Sequence, residues 1–200
     1  SPAEGGSVVI TYPMCDELRR AERSGEVLDA LSSGVGEVGH LDLSGLEDDG
    51  EILEGTGSLV LDRVQGIAYG CLSPRTTKAA VEAWCDETGY DAVVFEALDR
   101  NGNQIYHTNV LMSVGTRVSV VCSAAIADDE DRERVLAALR GGWRQVIEIS
   151  LDQMESFCGN ILELADAEGG AVFAMSSRAY DAFTVEQQER LKALGTIVHA

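Results

Sequence analysis

A unit of two strands, a helix and a third strand recurs along these 200 residues at a nearly constant interval, and that repeat restricts the possible folds more than any other feature. The copies begin at Gly55, His107 and Cys158, 52 and then 51 residues apart. The first predicts strands over 58–62 and 66–72, a helix over 78–88 and a strand over 91–97. The second predicts strands over 109–113 and 118–122 about a turn at Gly115, a helix over 129–139 and a strand over 145–149. The third predicts strands over 160–164 and 171–175 about Gly169 and Gly170, a helix over 185–194 and a strand over 196–198. A partial copy precedes them, with a strand at 7–11, a helix at 16–31 that puts Glu22, Arg23 and Glu26 on a solvated face, and a strand at 37–42. The helices rest on apolar spacing, as in Val135, Leu136 and Leu139 behind an acidic first turn, while Thr184 with Gln187 predicts a capping box.

A strand–strand–helix–strand module cannot bury both faces of its own sheet, so the copies are expected to pack about a common axis. The expected organisation is one partial α/β domain over 1–200, with a partial repeat at about 7–53 and full repeats at about 54–105, 106–156 and 157–200. Three and a half copies do not close a ring comfortably. The opening at Ser1 and Pro2 looks like a cut inside a longer protein.

Composition narrows the function. A hydrophobic share of 45% suffices for one sizeable core, and apolar runs such as 114–121 and 170–175 are far too short to span a bilayer. The formal net charge of −19 repels phosphate backbones and anionic membranes, so neither nucleic acid nor membrane is an expected partner. Five scattered cysteines, with no Cys-x-x-Cys pair, argue against a disulfide framework and for a reducing, cytoplasmic setting. His40 and His199 are isolated, so no metal site is expected, and no other cofactor is implied. Trp84 and Trp143 read as core or edge packing, and Ser73-Pro74-Arg75 as a strand-to-helix turn. Oligomeric state is left open, a homo-oligomer included.

In a radial array the leading strand of each copy lines the axis. The segments that open those strands contain Glu54-Gly55-Thr56-Gly57-Ser58, Tyr106-His107-Thr108-Asn109 and Phe157-Cys158-Gly159-Asn160. Convergence of Glu54, His107 and Cys158 would supply an acid, a base and a thiol. Attack on a guanidinium or ureido carbon needs a thiolate, a group to protonate the leaving nitrogen, and carboxylates that bind the planar cation. Histidine can move the proton, and a neighbouring carboxylate fixes its tautomer.

These segments, together with Tyr12-Pro13-Met14, Arg19-Arg20, Glu22-Arg23, Ala68-Tyr69, Ser73-Pro74-Arg75-Thr76, Gln153 and Met175-Ser176, resemble in order the arginine-deiminase-related citrulline-utilisation hydrolases. The resemblance covers essentially the whole chain. It implies the pentein fold, an α/β-propeller of ββαβ repeats, with about three and a half of five blades present and the chain truncated at both ends. It also implies a cysteine-dependent hydrolase acting on a non-peptide C–N bond of an arginine-derived small molecule, with citrulline or an arginine-like compound as the partner. By the same resemblance His107 is the general acid/base and Glu54 the carboxylate that orients it. Asn109 stands where arginine deiminases carry a guanidinium-binding aspartate, a departure that fits a neutral ureido substrate. Cys158 falls in the blade before the nucleophile's and reads as a packing residue. The nucleophile is expected beyond Ala200, a polar substrate-binding segment ahead of Ser1, and the fragment is expected to be inactive by itself. The alternatives are an arginine deiminase or amidinotransferase, and a non-catalytic pentein-fold binding protein like the ribosome anti-association factor.

Overall fold

The computed structural model describes residues 7–35 and 38–200. The expectations for Ser1, Pro2 and Glu37 lie outside the described residues. Strand β1 (Ser7–Thr11) is followed by α1 (Glu17–Arg20) and α2 (Gly25–Val35), then by β2 (Val38–Asp42), which pairs parallel with β1. The single helix expected over 16–31 is therefore two. Asp16 caps the first through its side chain, and Ser24 with Gly25 starts the second. Between them the chain turns so that Arg23 can fold back onto Glu47 and the Tyr12 carbonyl, which takes it off the solvated face the sequence assigned to it.

Three modules of one plan follow. The first holds β3 (Leu59–Asp62), β4 (Ile67–Cys71), α3 (Lys78–Thr88) and β5 (Asp91–Phe95). The second holds the helical turn α4 (Thr108–Leu111), β6 (Met112–Val114), β7 (Val118–Val121), α5 (Asp129–Arg140) and β8 (Gln145–Glu148). The third opens with α6 (Leu151–Glu155), then β9 (Leu162–Ala165), β10 (Ala171–Met175), α7 (Ser177–Ala182), α8 (Val185–Lys192) and β11 (Thr196–His199). In each, the first two strands form an antiparallel hairpin and the helix carries the chain across to a parallel third strand beside the middle one. The described strands make four separate sheets and no closed barrel.

The strand expected over 109–113 is shorter and starts later. Thr108 both donates to the Ser58 carbonyl and accepts from the Cys71 amide at 2.7 Å, and these bonds pin residues 108–111 in a helical turn before β6 begins. The capping box of Thr184 and Gln187 is present.

One apolar core joins the three full modules through Phe95, Leu111, Met112, Val120, Ile147 and Phe173. A second cluster, with Leu43, Leu53, Leu59, Val81 and Trp84, packs the β1–β2 unit against the first full module. Trp143 departs from the sequence reading: it stands free in solvent at 101% exposure with φ 63°, lifted out by the left-handed Gly142 before it. Arg144 donates to both oxygens of the buried Asp62, tying the second module to the first. The leading strands of all three modules line one cavity of about 660 Å³, with Leu61, Met112 and Leu162 on its wall. No helix among the described residues is long and apolar enough to cross a membrane.

Candidate functional site

Glu54 ends the extended segment before β3, and its side chain is fully buried. Burying a carboxylate is costly without partners, and this one has several. His107 Nε2 lies 2.9 Å from Oε2, Arg19 and Arg75 approach the same oxygen at 3.3 and 3.5 Å, and the Cys15 amide donates to Oε1 at 3.2 Å. Three parts of the chain therefore meet on one carboxylate: the segment after β1, the loop after β4 and the segment leading α4.

Ser58 holds this meeting in register. Its hydroxyl accepts from the Glu54 amide and donates to the Arg75 carbonyl, both at 2.8 Å, while its carbonyl accepts from Thr108. Ser73 Oγ donates to the Tyr106 carbonyl at 2.8 Å, so the main chain is anchored on both sides of His107. Tyr106 lies beside the imidazole, with ring centroids 5.0 Å apart, and Arg75 packs over the Tyr106 ring. The two arginines are partly open to solvent, with side chains 39% and 41% exposed, so each has donors left to offer a ligand.

The electrostatics favour a neutral imidazole. Burial pushes the His107 pKa below the usual 6.5, the bond and charge of Glu54 pull it up, and Arg75 and Arg19 push it down again; the net shift is downward. With Nε2–H donating to Glu54, Nδ1 is the nitrogen that can accept a proton.

The structure brings Glu54 and His107 together and leaves Cys158 apart. Cys158 is fully buried, its thiol donates to the Ala179 carbonyl at 3.3 Å, and burial pushes its pKa up to about 11. A protonated, inaccessible thiol is a poor nucleophile. Cys71, Cys85 and Cys122 are buried as well, whereas Cys15 is exposed. Asn109 is half-buried on the cavity wall with Asn160, whose side-chain amide donates to the Asn109 carbonyl at 3.1 Å. Sequence reasoning did not single out Arg19, Arg75, Ser58 or Cys15. Arg19 and Arg75 stand in segments that carry the resemblance, but nothing in the sequence shows them converging on Glu54. Among the described residues no cluster of three or more His, Cys, Asp or Glu could hold a metal ion.

Solved structures with the same fold define a class: α/β proteins of the pentein type. The substrate-bound N-terminal domain of ArgZ, an arginine dihydrolase from the ornithine-ammonia cycle in cyanobacteria, superposes with a TM-score of 0.70 at 14% identity, over 98% of this chain and 65% of that one. AgrE bound to L-arginine gives 0.71 at 13% identity, over 98% of this chain and 26% of that one. The dimethylarginine hydrolase DDAH of Pseudomonas aeruginosa, in complex with citrulline, gives 0.54 at 13%, over 96% and 63%. At these identities the likeness is one of fold, and the chain spans about two thirds of the ArgZ domain. A family model described as N,N dimethylarginine dimethylhydrolase, eukaryotic, matches residues 2–200. The chain belongs to that family, within the pentein superfamily of arginine-modifying hydrolases. No curated protein sequence matches it.

Proposed function

We propose that this chain forms part of a hydrolase that breaks a non-peptide C–N bond in an arginine-derived small molecule, with a citrulline-type ureido group as the substrate. The observation that carries the reading is the buried Glu54–His107 pair flanked by Arg19 and Arg75. The pair supplies a tautomer-fixed proton carrier, and the half-exposed arginines supply donors for a substrate carboxylate. Its setting is a propeller of ββαβ blades whose leading strands face the axis.

In this scheme Nδ1 of the neutral His107 takes the proton of a cysteine thiol, none of the four buried ones, and the resulting thiolate attacks the ureido carbon. His107 protonates the departing ammonia, leaving an N-alkyl thiocarbamate on sulfur. The neutral imidazole then takes a proton from water as it attacks. The thiolate leaves, and the resulting carbamic acid loses carbon dioxide to give the free amine. Glu54 holds Nε2–H throughout and stabilises the charged ring.

The engagement of the carboxylates favours an uncharged ureido group over a guanidinium. Both oxygens of Glu54 are already engaged by His107, Arg19, Arg75 and the Cys15 amide, so it has little to offer a guanidinium. On the cavity wall Asn109 and Asn160 are neutral, and the two carboxylates there are already engaged, Asp62 by Arg144 and Glu163 by Thr116. The family match favours a second reading, hydrolysis of a methylated guanidinium.

The full-length protein incubated separately with citrulline, arginine and dimethylarginine decides between them. Ammonia and ornithine from citrulline are expected, whereas dimethylamine from dimethylarginine would select the second reading. His107→Ala should lower kcat/KM by about 10²–10⁴. Turnover that survives this change undiminished would refute both. Cys15→Ala is expected to retain activity; if it abolishes turnover and a mass adduct on the parent maps to Cys15, the thiolate is assigned there.

A further inference from the structure

Gly57 sits two residues before β3, and unlike Gly55 at φ +62° its backbone is not left-handed. Turn geometry therefore does not explain a glycine there. Its surroundings do. A Cβ on residue 57 would lie 2.7 Å from His107 Nδ1, 2.8 Å from Cε1 and 3.0 Å from Cγ, closer than carbon can approach a ring. The imidazole lies flat against the bare backbone of Gly57.

We infer that Gly57 is the positioning residue for His107: the missing side chain leaves the one space in which the ring can lie against β3's lead segment and still reach Glu54. The backbone on either side cannot yield easily. The Gly57 carbonyl accepts from the Asn109 amide at 3.3 Å, and Ser58 is held by Glu54, Arg75 and Thr108. With the main chain tied at those points, a methyl group at residue 57 displaces the ring instead. The atom it meets first is Nδ1, the nitrogen that Glu54 leaves free and to which no group among the described residues bonds. Loss of the glycine thus disturbs both ring nitrogens, lifting Nε2 from its carboxylate and covering Nδ1. What Nδ1 does in catalysis rests on the function proposed above; the contact does not.

The test is a cycle in the full-length protein: Gly57→Ala, His107→Ala and the double variant. Gly57→Ala should lower Tm by about 2–4 °C when His107 is present and by less than about 1 °C once the ring is removed. Nitrogen NMR of the neutral His107 ring should show the Nε2–H tautomer in the parent and lose that single form in Gly57→Ala, with His40 and His199 unmoved as reporters of the fold. Where Gly57→Ala fails to accumulate, recovery of folded protein in the double variant gives the same answer. Equal Tm losses in both backgrounds, or an unchanged His107 tautomer, overturn the inference. In turnover, kcat for Gly57→Ala should fall about ten-fold or more with KM changed less than about two-fold. Coupled Tm values with undiminished kcat would uphold the contact and remove the proton-carrier role of His107.

Discussion

At the scale of single residues, His107 is set by opposing influences that can be separated with pH. Burial and the two arginines hold its pKa below 6.5, against the pull of Glu54. In the unfolded chain the ring takes up its proton near the usual value, so below about pH 6.5 the unfolded state binds more protons than the folded one. Stability contributed by the neutral ring is therefore complete above that pH and is lost as pH falls through the lowered folded value. Melting temperatures taken at pH 7.5 and 5.5 should fall more for the parent than for His107→Gln; equal falls would show that the ring is not buried as described. The sequence made His107 and Glu54 legible because both fall in the polar segments that open successive repeats. It hid Arg19 and Arg75, because both read as surface charges until the turn after β1 and the loop after β4 are brought over one carboxylate. Cys158 also falls in a segment that opens a repeat, yet it was expected to be a packing residue, and the Ala179 carbonyl and the core around it keep the thiol protonated.

At the scale of elements, alternation and capping gave β1, α3, β10 and the start of α8 with the bounds seen in the structure, since each is bounded by a local signal that tertiary contacts reinforce. Failures fall where long-range bonds override local pattern. A strand was expected over 109–113, yet the bonds of Thr108 to Ser58 and Cys71 impose a helical turn over 108–111. The Asp62–Arg144 link could not be read from spacing, because its partners are 82 residues apart. Burial alone would raise the Asp62 pKa, but the hydrogen bonds from Arg144 and Gln65 outweigh it and hold the carboxyl below the usual range. Arg144→Ala leaves a charge buried without its partner, and a loss of about 3–5 kcal/mol in urea denaturation is expected. A loss below about 1 kcal/mol would mean that water reaches the site.

At the scale of the whole molecule, the accessible chemistry of sulfur tests how tightly the modules close on one another. Burial holds Cys85, Cys122 and Cys158 at about 11 and Cys71 at about 12, while Cys15 is exposed. Of the five cysteines in these 200 residues, only Cys15 should react with a water-soluble disulfide reagent in native buffer; peptide mapping should find the other four labelled after denaturation alone. Native labelling of Cys71 or Cys122 would show that the shared core opens. The repeat made the module plan visible from sequence, since identical units must share a packing scheme. How neighbouring modules lock together was not visible, because the locking residues differ at every junction.

One carboxylate touched by three separate stretches of chain makes the proposed proton transfer a property of the assembled molecule. No single repeat carries a functioning fragment of it. Any partial opening between neighbours would change the proton affinity of the imidazole before the modules themselves lose their internal order, so chemistry should fail ahead of secondary structure as the protein is warmed.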